Sequence, residues 1–433
     1  MEENQEEAKV VRKRSLRVPG VLVALALVAT ACSSGGSSPS AAPSAAAPST
    51  APSAAAPSTP PSTAPSTAPS IGPAALGPGE GRLDLATWPY YVVGGTGGEK
   101  VAGAPDWVTP FEQKTGCKVY AKVYGGSSDA VALMKTGQYD GGAFSGDATL
   151  RLIAGGDVAP VNTALIPSYA NVFAGLKNQK HNTVNGVPYG VPHGRGANIL
   201  MWRTDIVQPD PDSWSVVWEG GSKYPGKVTA YDYEIYIADA AVYLMATKPD
   251  LKITDPYSLD ATQFQAAVDL LKAQRKNITT YWSAVGAQVD AFTKGDMVVG
   301  TTWQAQVNTL TTARVPIKAI KPKEGTTGWS DTWMISSKAK HPNCMYMWME
   351  YIISPLPNAT ATVYFGEAPV SPQACAEAEK QSAGHCATFY ATDETYWKDV
   401  YLWNTPTKQC IDGRGPICTD FSEWTKAWTQ VKG

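Results

Sequence analysis

From Gly81 onward, short apolar runs alternate with amphipathic stretches. "GRLDLATW" and "CKVYAKVYG" place apolar side chains at every second position, the pattern of a half-buried strand. Between them, "PDWVTPFEQKTG" sets Trp107, Val108 and Phe111 on one helical stripe and stops at Gly116. "SSDAVALMKTG" predicts a second helix, opened by a Ser or Asp cap and closed at Gly137. "YDGGAFSGD" followed by "ATLRLIAGG" repeats the strand–helix order. "DATQFQAAVDLLKAQRKN" spaces Phe264, Val268 and Leu271 for one helix face. "CMYMWMEYIISP" does the same with Cys344, Met347, Trp348, Tyr351 and Ile352. "DMVVGTTW" and "VPIKAI" predict buried strands, and "NGVPYGVPHGRGANILMW" short strands broken by Gly and Pro. Alternation of this kind predicts an α/β fold. About 350 residues exceed what one core ordinarily holds, so two lobes are expected.

The start of the chain follows a different pattern. A basic run (Lys9, Arg12, Lys13, Arg14, Arg17) precedes an apolar stretch from Val21 to Ala29. That stretch is shorter than the roughly 20 residues a membrane-spanning helix needs, and it suits an export signal over residues 1–31. "ATAC" resembles a bacterial lipobox, in which Cys32 is lipidated and becomes the mature N-terminus, although Leu is the commoner residue three places before the Cys. Cleavage to a soluble secreted protein is the alternative. Residues 32–80 are mostly Ala, Pro, Ser and Thr, with little to bury, and predict an extended tether.

Charge and cysteine usage narrow the function. Without residues 1–31 the chain carries 31 basic and 34 acidic side chains, so it presents no basic field and no nucleic-acid partner is expected. Six cysteines follow Cys32, an even number in an exported chain, and predict three disulfides. Fifteen pairings are possible. Closeness favours Cys375 with Cys386 and Cys410 with Cys418, leaving Cys117 for Cys344. A zinc site lacks C-x-x-C spacing, and His181, His193, His341 and His385 are scattered, so neither metal nor cofactor is expected.

Enzyme motifs do poorly. "GAFSG" has the wrong spacing for a nucleophile elbow. Ser337 to Lys340 matches S-x-x-K, but the K-T-G triplets at Lys114 and Lys135 come before it and no S-D-N is present. Neither a phosphate-binding P-loop nor H-E-x-x-H occurs.

Aromatic and acidic side chains do better. The chain has 14 Trp and 20 Tyr, enough that some lie at strand ends, where α/β folds place ligands. Five stretches join rings or small polar residues to acids or strand ends: "TWPYY" (Trp88, Tyr90, Tyr91), "FSGD" (Ser145, Asp147), "YDYEIY" (Asp232, Glu234), "TTW" (Trp303) and "GWSDTW". On one strand, Trp329, Asp331 and Trp333 of the last stretch would share a face. A π face beside a carboxylate suits an ammonium group. The bland alternatives are core packing for the rings, a turn for Asp331 and helix capping for Asp147 and Asp232.

Read in order, "TWPYYV", "FEQKTGCKV", "GQYDGGAFSGDATLRLIAGGDVAPV", "NGVPYGVPHGRGANILMWRTD", "FTKGDMVVGTTW", "KPKEGTTGWSDTWMISSKAKHP" and "YFGEAPVS" resemble the spermidine/putrescine-binding proteins of bacterial ABC importers, a branch of the family 1 extracellular solute-binding proteins. The resemblance runs from about Leu83 to Ala376. It implies a two-lobed periplasmic-binding-protein-like fold of the type II, Venus-flytrap kind. The chain would cross between lobes near His193, near Trp329 and after Glu367. Residues 82–193 and 329–370 would form lobe 1, and 194–328 with 371–433 lobe 2. Cys117 and Cys344 then share a lobe, which supports their pairing. The Cys-rich tail from Ala376 exceeds the usual family length.

By matched motif, Trp88 and Tyr91 would stack on the ligand with Ser145 nearby, Trp303 and Trp329 would line the other wall, and Asp331 would receive an ammonium group. Asp147 and Glu367 stand where the family tends to have aromatic residues, and Asp232 and Glu234 match its mid-cleft acids. The resemblance implies a non-enzymatic, monomeric, lipid-anchored protein on the extracytoplasmic face of the membrane. It would deliver a small cationic solute, first of all a polyamine such as putrescine or spermidine, to an ABC permease. The same fold holding an amino acid derivative, quaternary amine or sugar is the alternative, ahead of an extracytoplasmic enzyme or an adhesion module.

Overall fold

Strand Arg82–Thr87 pairs in parallel with Lys118–Val123 on one side and with Gly141–Phe144 on the other, in a computed structural model that describes residues 72–433. The export signal, Cys32 and most of the expected tether lie outside the described residues. Helices Val108–Thr115, Ser127–Lys135 and Gly146–Ala154 alternate with these strands, as the sequence pattern predicts. Thr332–Ile335 and Val191–Pro192 then add antiparallel strands and complete a five-stranded sheet. A second sheet orders Ile317–Ile320, Ile199–Arg203, Val299–Thr302 and Val228–Thr229.

Each sheet has its own core. Leu83, Phe111, Trp333 and Trp348 are buried against the first, and Trp202, Tyr236, Leu271 and Trp424 against the second. Helix Ala261–Arg275 shows how local sequence feeds the second core. Asp260 caps the N–H groups of Thr262 and Gln263 while Gln263 reaches back to the Asp260 N–H, a reciprocal capping box. Its Ala267, Val268 and Leu271 are buried, and Phe264 packs at the edge of the same core.

A third sheet holds the places where the chain passes between the other two. It orders Ala368–Pro369, Gly194–Ala197, Thr326–Trp329 and Val400–Leu402. Gly194–Ala197 leads from the first sheet to the second, and Thr326–Trp329 leads back. Trp329 pairs with Gly196, where any Cβ would overlap the indole ring, so only glycine allows that close approach. Among the described residues, no helix is long and apolar enough to cross a membrane.

The structure corrects the reading of "GWSDTW" as one strand. Trp329 ends a strand of the crossing sheet, Ser330 and Asp331 lie outside any strand, and Thr332 opens a strand of the first sheet. Trp333 is consequently buried in the first core, its Nε1–H donating to Nδ1 of His193 at 3.0 Å. Alternation along a chain cannot show that two adjacent strands belong to different sheets.

Three disulfides join Cys117 to Cys344, Cys375 to Cys386 and Cys410 to Cys418. The tail does not travel as one piece. Cys375, Ala378, Phe389 and Trp397 pack with Ala359 and Ala368, whereas helix Phe421–Lys432 sends Trp424, Ala427, Trp428 and Val431 into the second core.

Candidate functional site

The turn after the first strand delivers Trp88, whose Nε1–H donates to Ser145 Oγ at 3.0 Å. Ser145 stands at the start of helix Gly146–Ala154 and donates its hydroxyl to Asp331 Oδ1 at 2.6 Å. Tyr91 donates its phenol to Asp331 Oδ2 at 2.8 Å. Each carboxylate oxygen thus has one donor and keeps acceptor capacity for another. Asp331 is 4% exposed, and burial pushes its pKa up to about 6 against the pull of these two hydrogen bonds.

Asp331 and Ser145 open onto a cavity of about 410 Å³ that draws its walls from all three sheets. Trp88 and Tyr90 come from the first side, Tyr231 and Trp303 from the second, and Trp329 and Trp403 from the crossing region, with Phe365 nearby. Ring centroids of Trp303 and Trp329 are 5.7 Å apart at 65°, and those of Trp329 and Phe365 5.8 Å at 88°. Asn198 fixes the Trp303 indole, accepting its N–H at 2.7 Å. The volume falls in the range for small-molecule sites, and the lining is rich in aromatic rings with one carboxylate. Such a box offers π faces and a desolvated charge to a single cation.

Of the ten ligand residues expected from the sequence, Trp88, Ser145, Trp303, Trp329 and Asp331 line this cavity, and Tyr91 lies directly behind Asp331. The four remaining acids do not line it. Asp147 is buried beside Ser127, which donates to it at 2.8 Å; burial raises its pKa to about 7. Asp232 pairs with Lys432 at 2.7 Å, and Glu234 accepts from Thr425 at 3.3 Å, so both face the C-terminal helix. Glu367 is fully buried, with neither carboxyl oxygen hydrogen-bonded.

Glu367 lies 3.4 Å from His193 Nε2. Burial drives the two groups in opposite directions, Glu367 well above the usual carboxylate range and His193 down to about 3. Burial thus favours the neutral form of each. A carboxyl group that holds its proton longer when folded makes stability fall as pH rises from the unfolded carboxyl's pKa toward the folded one. Glu367→Gln, a neutral isostere, is expected to flatten part of that fall. Thermal unfolding from pH 5 to 8 checks this, and a lower melting temperature in the variant at pH 8 would show that the charge is needed.

Tyr231, Phe365 and Trp403 also line the cavity but were not singled out from the sequence. Tyr231 precedes Asp232, and Phe365 lies two residues before Glu367, so in each pair it is the ring and not the acid that reaches the cavity. Trp403 lies beyond every motif that carries the family resemblance. One further group, Asp84, Asp140 and His341, is close enough to hold a metal. Its Asp140, however, already accepts from the backbone N–H of Asp84, Lys340 and His341 and contacts the imidazole, as a structural clamp does.

A two-lobed α/β molecule with an aromatic, carboxylate-bearing cavity at the crossing is a solute-binding protein. The chain belongs to the bacterial extracellular solute-binding proteins, whose family model matches residues 106–388. It is similar to the spermidine/putrescine-binding periplasmic protein of Escherichia coli strain K12, with 23% identity over 255 residues, 58% of this chain and 70% of the relative. It is also similar to the putrescine-binding periplasmic protein PotF of the same organism, with 26% identity over 268 residues and the same shares, 58% and 70%. In fold it is similar to a putative spermidine/putrescine ABC transporter from Listeria monocytogenes, with a TM-score of 0.65 at 15% identity, covering 81% of this chain and 99% of the other. The family is one of solute binding without catalysis, and its members work outside the cytoplasm.

Proposed function

We propose that this protein captures a small organic cation and delivers it to an ABC importer, anchored to the membrane through a lipid on Cys32. The observation that carries this reading is Asp331, the one carboxylate lining a cavity that is otherwise uncharged and rich in aromatic rings. An ammonium group would sit between Asp331 and the π faces of Trp88, Trp303 and Trp329. A polyamine such as putrescine or spermidine is the first choice of ligand, in keeping with the names of the relatives. Lobe 1 would comprise 82–193 and 329–370, and lobe 2 mainly 194–328 with the C-terminal helix. A ligand touching both would favour the closed form for the permease to recognise.

The single carboxylate supports a second reading. A diamine brings two charged ends, whereas a quaternary amine or an amino acid derivative brings one cationic head, which this box matches. Thermal-shift titration against putrescine, spermidine, glycine betaine, amino acids and sugars separates the two. A ligand at a hundredfold excess over its Kd stabilises by about 2.7 kcal/mol. A response to polyamines alone supports the first reading, and a response to single-headed amines alone supports the second. A response only to sugars would discard the cation site.

The same reading sets a pH dependence. Below about 6 the empty site's Asp331 takes up a proton, and a cation must displace it. Affinity is therefore expected to be flat above neutrality and to fall by about tenfold per pH unit well below that value. Calorimetric titration from pH 5 to 8 checks this; an affinity unchanged at pH 5 would remove Asp331 from the ligand's charge partner role.

A further inference from the structure

The family match ends at residue 388, yet the cavity wall includes Trp403. We propose that Trp403 is a specificity-determining residue, a wall brought to the cavity by the C-terminal segment that admits small cations and excludes bulky ones. This rests on the cation reading of the cavity.

Several contacts set the ring in place. Strand Val400–Leu402 runs parallel to Thr326–Gly328, and the Trp403 N–H donates to the Gly328 oxygen at 2.6 Å, next to Trp329. On the second side, Tyr257 donates its phenol to the Tyr401 oxygen at 2.8 Å. On the first side, the Thr405 hydroxyl donates to the Gly146 oxygen at 2.9 Å. A Cβ on Gly146 would overlap the Trp403 carbonyl oxygen, so the segment needs glycine there to lie this close to Ser145. Farther along, the Cys410–Cys418 bridge closes a local loop, and the Ile411 N–H to Ser258 Oγ and Thr419 N–H to Leu259 oxygen bonds, both 2.8 Å, hold the chain against the second side.

The ring itself is 4% exposed and stacks on Tyr231, with centroids 5.5 Å apart at 21°. Tyr231 in turn meets Trp303 at 5.5 Å. Trp403 is thus continuous with the aromatic wall, and the segment that carries it, Tyr401 to Thr405, is held on three sides. A side chain so placed does not yield to a larger ligand as a surface ring does. Removing it widens the cavity and deletes one π face.

The test is calorimetric titration of wild type, Trp403→Ala, Trp403→Leu and Trp403→Phe with putrescine, spermidine, tetramethylammonium and tetrabutylammonium. Trp403→Ala is expected to weaken the best wild-type cation by about tenfold or more and Trp403→Phe by less than about threefold, as loss and retention of a π face imply. Tetrabutylammonium should gain affinity in the Ala variant relative to wild type. If the Ala variant does not fold, the Leu variant, which fills space without a π face, is expected to lose cation affinity where Phe keeps it. Wild-type affinities and ligand order in both Ala and Leu variants, or in Leu alone where Ala does not fold, would overturn the inference. Binding of none of the four cations by wild type would overturn the cation reading, and this inference with it.

Discussion

Replacing Cys117 or Cys344 by Ser is expected to cost this protein about 2–5 kcal/mol, the range for removing a native disulfide. The bridge spans 227 residues, and closing so long a loop in the unfolded chain removes configurational freedom worth roughly 5 kcal/mol in the chain-entropy account. Both residues are fully buried in the first core. A serine there adds a hydroxyl to an apolar setting, a further cost of about 1–3 kcal/mol if it finds no partner. The other two bridges close separations of 11 and 8 residues and are expected to matter less. Urea unfolding of Cys117→Ser, Cys344→Ser and the double variant measures the effect. A loss below about 1 kcal/mol in all three would mean that the unfolded chain is already compact enough to make the link redundant.

Asp331→Asn carries the largest expected effect on binding. Removing the charge while keeping the shape should weaken a cationic ligand by about 1–3 kcal/mol, the range for hydrogen bonds to charged groups. The same variant should leave the empty protein at least as stable as wild type at pH 8. Burial makes the Asp331 charge costly in the folded state, and a neutral amide avoids that cost. The two effects have opposite signs, so misfolding cannot imitate them. Equal affinity in Asp331→Asn and wild type would remove Asp331 from the site. A drop in both affinity and stability would point instead to damage in the Tyr91–Asp331–Ser145 network.

The α/β rhythm was legible because helices and strands obey local rules. The capped helix at Ala261–Arg275 and the alternating strand at Lys118–Val123 need only their own residues and the side they bury. The cavity is a different matter. Trp88, Ser145, Trp303, Trp329 and Asp331 come from separate segments, and only the family's order of motifs suggested that they meet. Asp232 and Glu234 show the limit of that approach. Their motif could be aligned, but Asp232 pairs with Lys432 and Glu234 accepts from Thr425, both in a helix that lies beyond the matched motifs. Trp403 fails to stand out for the same reason, since it lies beyond every motif that carries the resemblance. Asp331 was legible as a candidate, yet its separation from Trp333 depended on a break between two sheets that alternation cannot register.

The stitching of residues 73–80 to the first core has a mechanical consequence. The Pro73 oxygen accepts from Asn162, and the Gly77 N–H donates to Asn343. Glu80 accepts from the backbone N–H groups of Asn343 and Cys344 at the start of helix Pro342–Ile352, beside the Cys117–Cys344 bridge. Residues 73–80 are thus fastened to the start of that helix and to the half of the molecule that carries the covalent cross-link, so a force applied through them is borne first by a helix N-terminus clamped beside a disulfide.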